Sequence, residues 1–327
     1  MSPQEAVVHV QDTSCKRDTK VVSKDVYFDV LNGMDSTMNI DATKLPYVNT
    51  EIHDQVVVQV KGNSMAGFTK QVKKFIEEGY MLLHQTWKHA CILDSKIPFM
   101  KTWASVHSKI KVIFWTDATM DAFMSAAFKN ESKISKAWKL LSKAKSSHIK
   151  RADLFRIIAV WYYSGVYSDL DIEIKASLQP LLDQNLTCLV YEPEKAMVKF
   201  TSYSIGDAFR TQILSGIMMS GIRHSDFLGY LIDWIVESHL QGLVSQSSGV
   251  LEATGPRIQA IAYKYYVQRA ARHDTLLRVM SYDEFESHYG THHTRSTWVL
   301  DDRRQQPCTQ LQGNAIYPQH AVIIPPF

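Results

Sequence analysis

The stretch from Ile149 to Glu173 constrains the fold of this 327-residue chain more than any other. Apolar residues from Leu154 to Gly165 recur at the i, i+3, i+4 and i+7 spacing of a helix with one buried stripe. Gly165 can end that helix in a left-handed conformation, and the β-prone pair Val166-Tyr167 follows it. The stretch therefore predicts a helix, a glycine turn and a short strand.

Two aspartates, Asp169 and Asp171, come directly after this strand. Their period-2 spacing predicts that both carboxylates point to one side of the strand end. Oxygen ligands suit a hard divalent cation, and phosphates can complete its shell, so the pair predicts a metal that also holds a diphosphate. The alternative is a helix-to-strand connection with merely solvated aspartates. Asp153 and Arg156 share another face of the helix, where an ordinary ion pair is the alternative to ligand binding.

Six ordered blocks of the chain match the motifs of one known family. They are Met81–Lys88, Val112–Asp117, a central block, Leu214–Ser220 with His224, Thr254-Gly255-Pro256, and His292-His293 with Trp298; the central block contains Asp153, Arg156, Gly165, Tyr167, Asp169 and Asp171. They resemble the DXD-containing sugar-transferase family, which includes the fungal initiation-specific α-1,6-mannosyltransferases, the inositol-phosphoceramide mannosyltransferases and the α-1,4-N-acetylglucosaminyltransferases. Ordered blocks over roughly residues 78–300 are far harder to obtain by chance than one short motif.

The chain departs from the family pattern at three places. Ala152 stands where the family has serine, and Ser164 replaces one of two adjacent glycines. The late block has Ser296-Thr297-Trp298 where the family has serine directly before tryptophan. This last difference leaves open whether His292 or His293 is the third metal ligand.

The resemblance implies a metal-dependent hexosyltransferase that retains the anomeric configuration. Asp169 and Asp171 are then the expected catalytic pair and metal anchors, with His292 or His293 completing the site. The residues expected to bind the nucleotide-sugar donor are His84, Trp87, Asp117, Asp153, Arg156, Tyr167 and Asp169. Weaker candidates for the acceptor cleft are Ser220, His224, Asp226 and Thr254. For His84 and Trp87 a buried aromatic edge is the alternative, and for Thr254 a tight turn.

The expected ligand set favours manganese, with magnesium as a second option, because carboxylates dominate it and an imidazole is compatible with manganese. The family suggests mannose from GDP-mannose as the first donor and a UDP-hexose as the second. A glycan, glycolipid or protein is the expected acceptor, and the sequence specifies neither the linkage nor an oligomeric state.

Two other function classes are compatible with the same residues. The first is a catalytically inactive relative that binds a carbohydrate, suggested by Ser164 and by the altered Ser-Thr-Trp block. The second is a metal-dependent phosphohydrolase that uses the same carboxylates on a different fold. Its weakness is that the sequence offers no other acidic cluster for a second metal.

The composition of the chain, 45% hydrophobic with a formal net charge of +3, fits a globular protein and does not call for a nucleic-acid partner. Seven basic residues lead into the central helix: Lys133, Lys136, Lys139, Lys143, Lys145, Lys150 and Arg151. They predict a solvated helix face; the alternative is an anionic acceptor surface or peripheral membrane contact. The four cysteines form no metal-binding pattern.

No apolar run reaches the roughly eighteen residues of a membrane-spanning helix, and no signal-peptide core is present. We therefore expect a soluble, cytoplasmic protein, or one of the Golgi lumen if an anchor is missing from the sequence. Residues 1–77 are expected to form an N-terminal extension packed on the catalytic domain, with short strands at 25–31 and 56–60 and a helix at 68–80.

Residues 78–327 are expected to form the catalytic domain. Up to about residue 190 strands and helices alternate, which predicts an α/β, GT-A-type nucleotide-sugar transferase fold with a mostly parallel central sheet flanked by helices. This part is the expected nucleotide-binding half. The acceptor half follows, with helices near 227–240 and 258–272, and then a C-terminal tail without clear periodicity.

Overall fold

A computed structural model of the chain describes residues 63–88, 91–128, 132–144, 147–192, 212–244, 248–270, 276–293, 308–310 and 322–323. Most of the expected N-terminal extension lies outside the described residues, including both strands predicted at 25–31 and 56–60. Lys145 of the basic run and Trp298 of the late block lie outside them as well.

Strands and helices alternate through most of the described chain. The strands are β1 (Met81–Trp87), β2 (Cys91–Leu93), β3 (Ile110–Thr116), β4 (Gly165–Ser168), β5 (Ile172–Ile174), β6 (Thr187–Tyr191), β7 (Ile213–Ser220), β8 (Leu277–Met280), β9 (Gly290–His292), β10 (Cys308–Gln310) and β11 (Val322–Ile323). The α-helices are α1 (Asn63–Glu77), α2 (Ile97–Val106), α3 (Asp117–Ala127), α4 (Lys133–Ser142), α5 (Ser147–Tyr163), α6 (Gln179–Asp183), α7 (Asp226–Leu240), α8 (Val250–Ala253), α9 (Pro256–Ala270) and α10 (Tyr282–His288).

Seven of these strands form one sheet in the order β11-β3-β1-β4-β7-β6-β8. The strands β11, β3, β1 and β4 run parallel to one another, and β6 runs parallel to β8. Strand β7 is antiparallel to both of its neighbours, β4 and β6. The predicted α/β class with a mostly parallel sheet is confirmed. The C-terminal tail, for which the sequence shows no periodicity, supplies the edge strand β11.

Each face of the sheet carries its own apolar core. Along β3, Val112 and Phe114 join one core with residues of α2, α6 and α10, whereas Ile113 and Trp115 join the other with α1, α3, α4, α5, α7 and α9. Successive side chains of a strand point to opposite faces, so a sheet covered on both sides reads as an unbroken apolar run. Helices thus flank the sheet on both faces, as predicted.

Helix α5 departs from the prediction of a single buried stripe, because every residue from Asp153 to Tyr163 is buried. It lies between the sheet and the helices α4 and α7, so that all of its faces meet other elements. Helices surrounded in this way are apolar around their whole circumference. The polar groups of Asp153 and Arg156 are therefore held deep in the fold.

The turn after α5 explains one departure from the family pattern. Ser164 has φ 66° and Gly165 has φ 96°, so both adopt the left-handed region. A Cβ atom on Gly165 would overlap the carbonyl oxygen of Leu82, which makes glycine necessary there. Ser164 adopts this conformation at some cost, and its carbonyl accepts a hydrogen bond from His84 Nε2 at 3.0 Å. The predicted left-handed turn at Gly165 is present, but the helix ends at Tyr163, Ser164 is the first left-handed residue after it, and Gly165 opens β4.

The described basic residues from Lys133 to Arg151, in α4 and the start of α5, do not form one solvated face. Arg151 pairs with Asp121 at 2.7 Å, and Lys150 is buried with its Nζ donating to the carbonyl of Ser248. Among the described lysines of this region, Lys136, Lys139 and Lys143 are exposed. Tertiary packing of α5 against α7 and the loop at Ser248 accounts for the difference. None of the described helices is both long and apolar enough to cross a membrane.

Candidate metal and donor site

The two aspartates lie in a turn that joins β4 to β5, and not on the strand itself. The N–H of Asp169 donates to the carbonyl of Gly216 on β7 at 2.7 Å, and the N–H of Ile172 donates to the carbonyl of Asp169 at 3.3 Å. The turn, and not the predicted alternation along a strand, therefore brings the carboxylates of Asp169 and Asp171 to one place.

His292 joins this turn through the pairing of β5 with β9. The two strands are antiparallel, and Ile172 is directly opposite His292. One possible ligand atom from each of Asp169, Asp171 and His292 lies within 4.8 Å of the other two. Two carboxylates and one imidazole make a donor set that suits a divalent cation. The structure brings these three residues together, as the family resemblance implied for the aspartates and one late histidine.

Buried polar atoms around the cluster fit the presence of a ligand. Among the described residues, His292 Nδ1, Ser215 Oγ and Arg156 Nε are buried and have no hydrogen-bond partner. Such atoms are rare in folded proteins unless a ligand, ion or water satisfies them. The side chain of His292 is 10% exposed and that of Asp169 is 33% exposed, so the cluster is buried on the histidine side and open to solvent on the other. The residues therefore fit a bound metal and an additional polar ligand.

The neighbouring His293 turns its ring away from this cluster. Its Nε2 lies 2.6 Å from Glu173 Oε2, and its ring stacks on Phe99 at a centroid distance of 4.4 Å. Its backbone N–H donates to the carbonyl of Asp171 at 3.0 Å. Of the two histidines that the sequence left open, His292 is the one beside the carboxylates.

The charge of the aspartates changes the proton affinity of His292. Burial lowers the pKa of this imidazole, but the hydrogen bond and negative charge of Asp171, together with the charges of Asp169 and Glu192, raise it. The net direction is upward from the ordinary value of 6.5. The imidazole thus senses a strongly negative environment, which is the electrostatic setting that attracts a cation.

Arg156 connects the helix α5 to the aspartate turn. Its Nη2 lies 3.1 Å from Asp153 Oδ1, and its Nη1 lies 3.5 Å from Asp169 Oδ1. The same Nη1 donates to the carbonyl of Ser215 at 2.7 Å, and the guanidinium covers the ring of Tyr167 at 4.7 Å. Burial lowers the pKa of Arg156, but the surrounding carboxylates and Tyr167 raise it above its ordinary value. Arg156 therefore forms the ion pair with Asp153 and contacts the aspartate turn at the same time.

Asp153 is occupied on both carboxylate oxygens. Oδ1 pairs with Arg156, and Oδ2 accepts a hydrogen bond from Thr254 Oγ1 at 3.0 Å. The pKa of Asp153 is raised to about 6. Burial is the largest cause and the charge of Asp169 adds to it, whereas Arg156 and the hydrogen bond from Thr254 lower the pKa. At neutral pH the carboxylate is ionised and orients Arg156. Thr254, a weaker candidate from the sequence, reaches the cluster through this contact.

Three further residues expected to bind the donor lie at the same edge of the sheet. Tyr167 donates from its hydroxyl to Asp169 Oδ1 at 2.6 Å. Trp87 ends β1 opposite Thr116, and Asp117 follows the end of β3. Ligands of open α/β sheets gather at the carboxyl ends of parallel strands. The indole Nε1 of Trp87 is buried and has no hydrogen-bond partner among the described residues.

His84 is placed in the core and not in the cluster. Its Nε2 donates to the carbonyl of Ser164 at 3.0 Å, and its Nδ1 accepts a hydrogen bond from Trp115 Nε1 at 3.3 Å. Its ring lies parallel to that of Tyr163 at a centroid distance of 6.0 Å. Burial lowers the pKa of His84 to about 4 even though the bond to Ser164 raises it. The histidine therefore holds the turn that delivers the aspartates.

This burial predicts a pH dependence of stability. The pKa of His84 is about 4 in the folded chain against 6.5 ordinarily, so the unfolded chain binds the proton first as the pH falls. The stability that neutral His84 contributes above pH 6.5 is lost progressively towards pH 4. We expect the wild type to lose up to about 1.4 kcal/mol per pH unit relative to His84→Gln in this window. Urea denaturation at several pH values measures this difference; parallel stability curves would contradict it.

The three weaker candidates for the acceptor cleft, Ser220, His224 and Asp226, lie near the end of the β4–β7 pair that is distant from the aspartate turn. Ser220 on β7 pairs with Gly165 at the start of β4. Asp169 follows Ser168 at the end of β4, and Ser168 pairs with Ile217. The four residue steps from Gly216 to Ser220 span about 13 Å of strand. Exposed His224 and Asp226 follow Ser220 along the chain. The structure does not bring this group to the aspartate turn.

Three residues of the site were not among the sequence candidates. Lys96 Nζ lies 3.1 Å from Asp171 Oδ2, and no motif in the sequence singles out this lysine. The backbone carbonyl of Ser215 accepts a hydrogen bond from Arg156. A Cβ atom added at Gly216 would lie 3.0 Å from Asp169 Oδ2, so the glycine leaves room for that carboxylate. Both belong to the Leu214–Ser220 block, so the resemblance contained a signal for them.

Comparison with known proteins agrees with this geometry. Residues 94–187 match the family model described as a glycosyltransferase sugar-binding region containing a DXD motif. Over 137 residues the chain is 25% identical to inositol phosphoceramide mannosyltransferase 3 of Schizosaccharomyces pombe, a match that covers 42% of this chain and 36% of the relative. The chain thus spans little more than a third of the relative's length.

Two solved structures are similar to the chain. The PaToxG glycosyltransferase has a TM-score of 0.39 at 12% identity, covering 65% of this chain and 80% of the other. The apo structure of the bifunctional glycosyltransferase WbbM has a TM-score of 0.29 at 16% identity, covering 58% and 38%. Both TM-scores are low, and the fold class therefore rests on the sheet described above.

Proposed function

Because residues 94–187 belong to the DXD-containing family of glycosyltransferase sugar-binding regions, we propose that this chain is a metal-dependent glycosyltransferase of GT-A type. It moves a hexose from a nucleotide sugar to an acceptor hydroxyl with retention of configuration. The observation that carries the proposal is the convergence of Asp169, Asp171 and His292 within 4.8 Å. Residues 78–327 form the proposed catalytic domain.

The residues of the cluster have distinct proposed tasks. Asp169, Asp171 and His292 hold the cation, and a divalent cation bound there supplies positive charge at the diphosphate leaving group. Arg156 fixes Asp169 from the side of α5 and adds a second positive charge at the same edge. Asp153 orients Arg156, and Tyr167 holds the carboxylate of Asp169 by a hydrogen bond of 2.6 Å.

Manganese is the proposed cation, with magnesium as the second option, since two carboxylates and one imidazole are compatible with it. The name of the S. pombe relative supports mannose as the sugar, so GDP-mannose is the first proposed donor and a UDP-hexose the second. The acceptor is a glycan, a glycolipid or a protein. Localisation in the cytoplasm, with the Golgi lumen as the alternative, stays a prediction.

An inactive relative is less well supported than an enzyme. That alternative was motivated by Ser164 in place of glycine, but the left-handed turn at Ser164 is intact, with φ 66°. The altered Ser296-Thr297-Trp298 block lies outside the described residues. Arg156 still contacts both Asp153, at 3.1 Å, and Asp169, at 3.5 Å.

A thermal-shift screen of nucleotide sugars with manganese tests the proposal. A ligand that binds the native state raises the apparent stability, and a free concentration of about a hundred times Kd adds about 2.7 kcal/mol. We expect a shift with one nucleotide sugar in the presence of manganese, and slow manganese-stimulated hydrolysis of that donor. Binding without hydrolysis or transfer would favour the inactive relative. Phosphate release from simple esters, with no shift by any nucleotide sugar, would favour the phosphohydrolase.

A further inference from the structure

Lys96 is a buried lysine whose charge faces a proposed metal ligand. It closes a single turn of 3-10 helix, Asp94–Lys96, directly before α2. Its Nζ lies 3.1 Å from Asp171 Oδ2, and the two side chains are only 8% and 9% exposed. Lysine is almost never fully buried unless its charge is paired, so the position of this ammonium requires a reason.

The two oxygens of Asp171 face different partners. Oδ2 faces Lys96, whereas Oδ1 lies 3.4 Å from His292 Nε2 on the side of the proposed metal ligands. A carboxylate held on one oxygen by an ammonium cannot rotate freely to offer both oxygens to a cation. The arrangement therefore favours ligation through Oδ1 alone.

The helix that follows Lys96 is fastened to the strand that follows Asp171. Trp103 Nε1 donates to the carbonyl of Ile172 at 3.3 Å, and the N–H of Ile174 donates to Thr102 Oγ1 at 3.0 Å. Both contacts join α2 to β5. Lys96 thus reaches the carboxylate from a rigid base, as residues that orient a functional group usually do.

We propose that Lys96 is a positioning residue that holds Asp171 Oδ2 and adds a positive charge beside the cation site. This inference rests on the proposed function. An ammonium so close to the cation site opposes the binding of a free divalent cation but favours an anionic diphosphate. Lys96 should therefore shift the preference of the site from a free cation towards a cation that arrives with a nucleotide.

Replacing Lys96 with methionine separates these two effects because they have opposite signs. We expect Lys96→Met to bind manganese on the order of tenfold more tightly without nucleotide, measured by electron paramagnetic resonance of free manganese. At saturating manganese, the affinity for GDP or UDP, whichever the wild type binds, should fall on the order of tenfold by calorimetry. Lys101→Met is the matched control, because Lys101 lies exposed on α2 and should change neither value.

Each other outcome has a definite meaning. A loss of both affinities in Lys96→Met would show a merely structural role and overturn the inference, and so would two unchanged affinities. If Lys96→Met does not fold, Lys96→Gln retains an N–H donor and serves for the same measurements; failure of both variants to fold would also establish a structural role. A wild type that binds neither manganese nor nucleotide would instead refute the proposed function.

Discussion

Replacing Asp171 with asparagine is expected to abolish manganese binding and sugar transfer while the chain remains folded. Asparagine preserves the shape of the side chain but removes the negative charge at the centre of the cluster with Asp169 and His292. Because the proposed catalysis depends on positive charge at the diphosphate, we expect turnover to fall by about a thousandfold or more. Donor hydrolysis and the resonance signal of free manganese measure the two effects.

Glu173→Gln is the matched control for this substitution. Glu173 is two residues further along the chain, is 36% exposed and pairs with His293 on the outer side of the ribbon formed by β5 and β9. If His292 is the ligand, removal of the Glu173 charge should leave metal affinity and turnover within about threefold, as expected for an exposed pair. Full activity of Asp171→Asn, or an equal loss in Glu173→Gln, would refute the assignment of the site.

The Asp171→Asn variant also allows a loss of charge to be distinguished from a loss of stability. Asp171→Asn leaves the ammonium of Lys96 beside a neutral amide, and removing one partner of a buried ion pair typically costs about 3 kcal/mol or more of unfolding free energy. The double variant Asp171→Asn/Lys96→Met removes both charges and should recover most of that stability. It should recover none of the activity, since activity depends on the carboxylate and not on the total stability.

Local sequence patterns predicted the elements that depend on neighbouring residues. The apolar spacing from Leu154 onward predicted the helix α5, and Gly165 predicted the left-handed turn that follows it, because the backbone there presses against Leu82 and admits only glycine. The two aspartates were placed correctly after β4. Their convergence could be expected from chemistry, but the turn that produces it could not.

Features that depend on distant parts of the chain escaped prediction. The burial of α5 on all sides comes from α4 and α7, and the edge strand β11 pairs with β3 although the two lie far apart in the sequence. The choice of His292 over His293 depends on the register of β9 against β5, which no local pattern specifies. Lys96 carries no motif at all and reaches the site only through the packing of α2.

Replacing Arg156 with methionine is expected to be the most destabilising single change in the site. The side chain of Asp153 is only 5% exposed, and this substitution leaves its charge without the guanidinium that pairs with it at 3.1 Å. Removing one partner of a buried ion pair typically costs 3–5 kcal/mol, so we expect a loss of about 4 kcal/mol. Arg151→Met is the control on the same helix, because its partner Asp121 is 48% exposed and such pairs contribute about 1 kcal/mol or less.

The pH dependence of this loss distinguishes an unpaired carboxylate from a simple packing defect. Burial already raises the pKa of Asp153 to about 6, against 3.8 ordinarily, and Arg156 is the largest influence that lowers it. In Arg156→Met the folded-state pKa should rise further, so the folded chain binds this proton first, and the stability of the variant relative to the wild type increases as the pH falls from neutral towards about 6. The variant should thus approach the wild type in stability at about pH 5, as measured by urea denaturation.

The double variant Arg156→Met/Asp153→Asn completes the test. It removes the buried charge that Arg156 neutralises, and it should recover most of the lost stability without the pH dependence that Asp153 causes. Donor binding should stay weak, because Asp169 still lacks the guanidinium that lies 3.5 Å from its Oδ1. Recovery of stability together with donor binding would mean that Arg156 serves only to neutralise Asp153. A single variant that is equally unstable at every pH would instead assign the loss to packing around Tyr167, over whose ring the guanidinium lies.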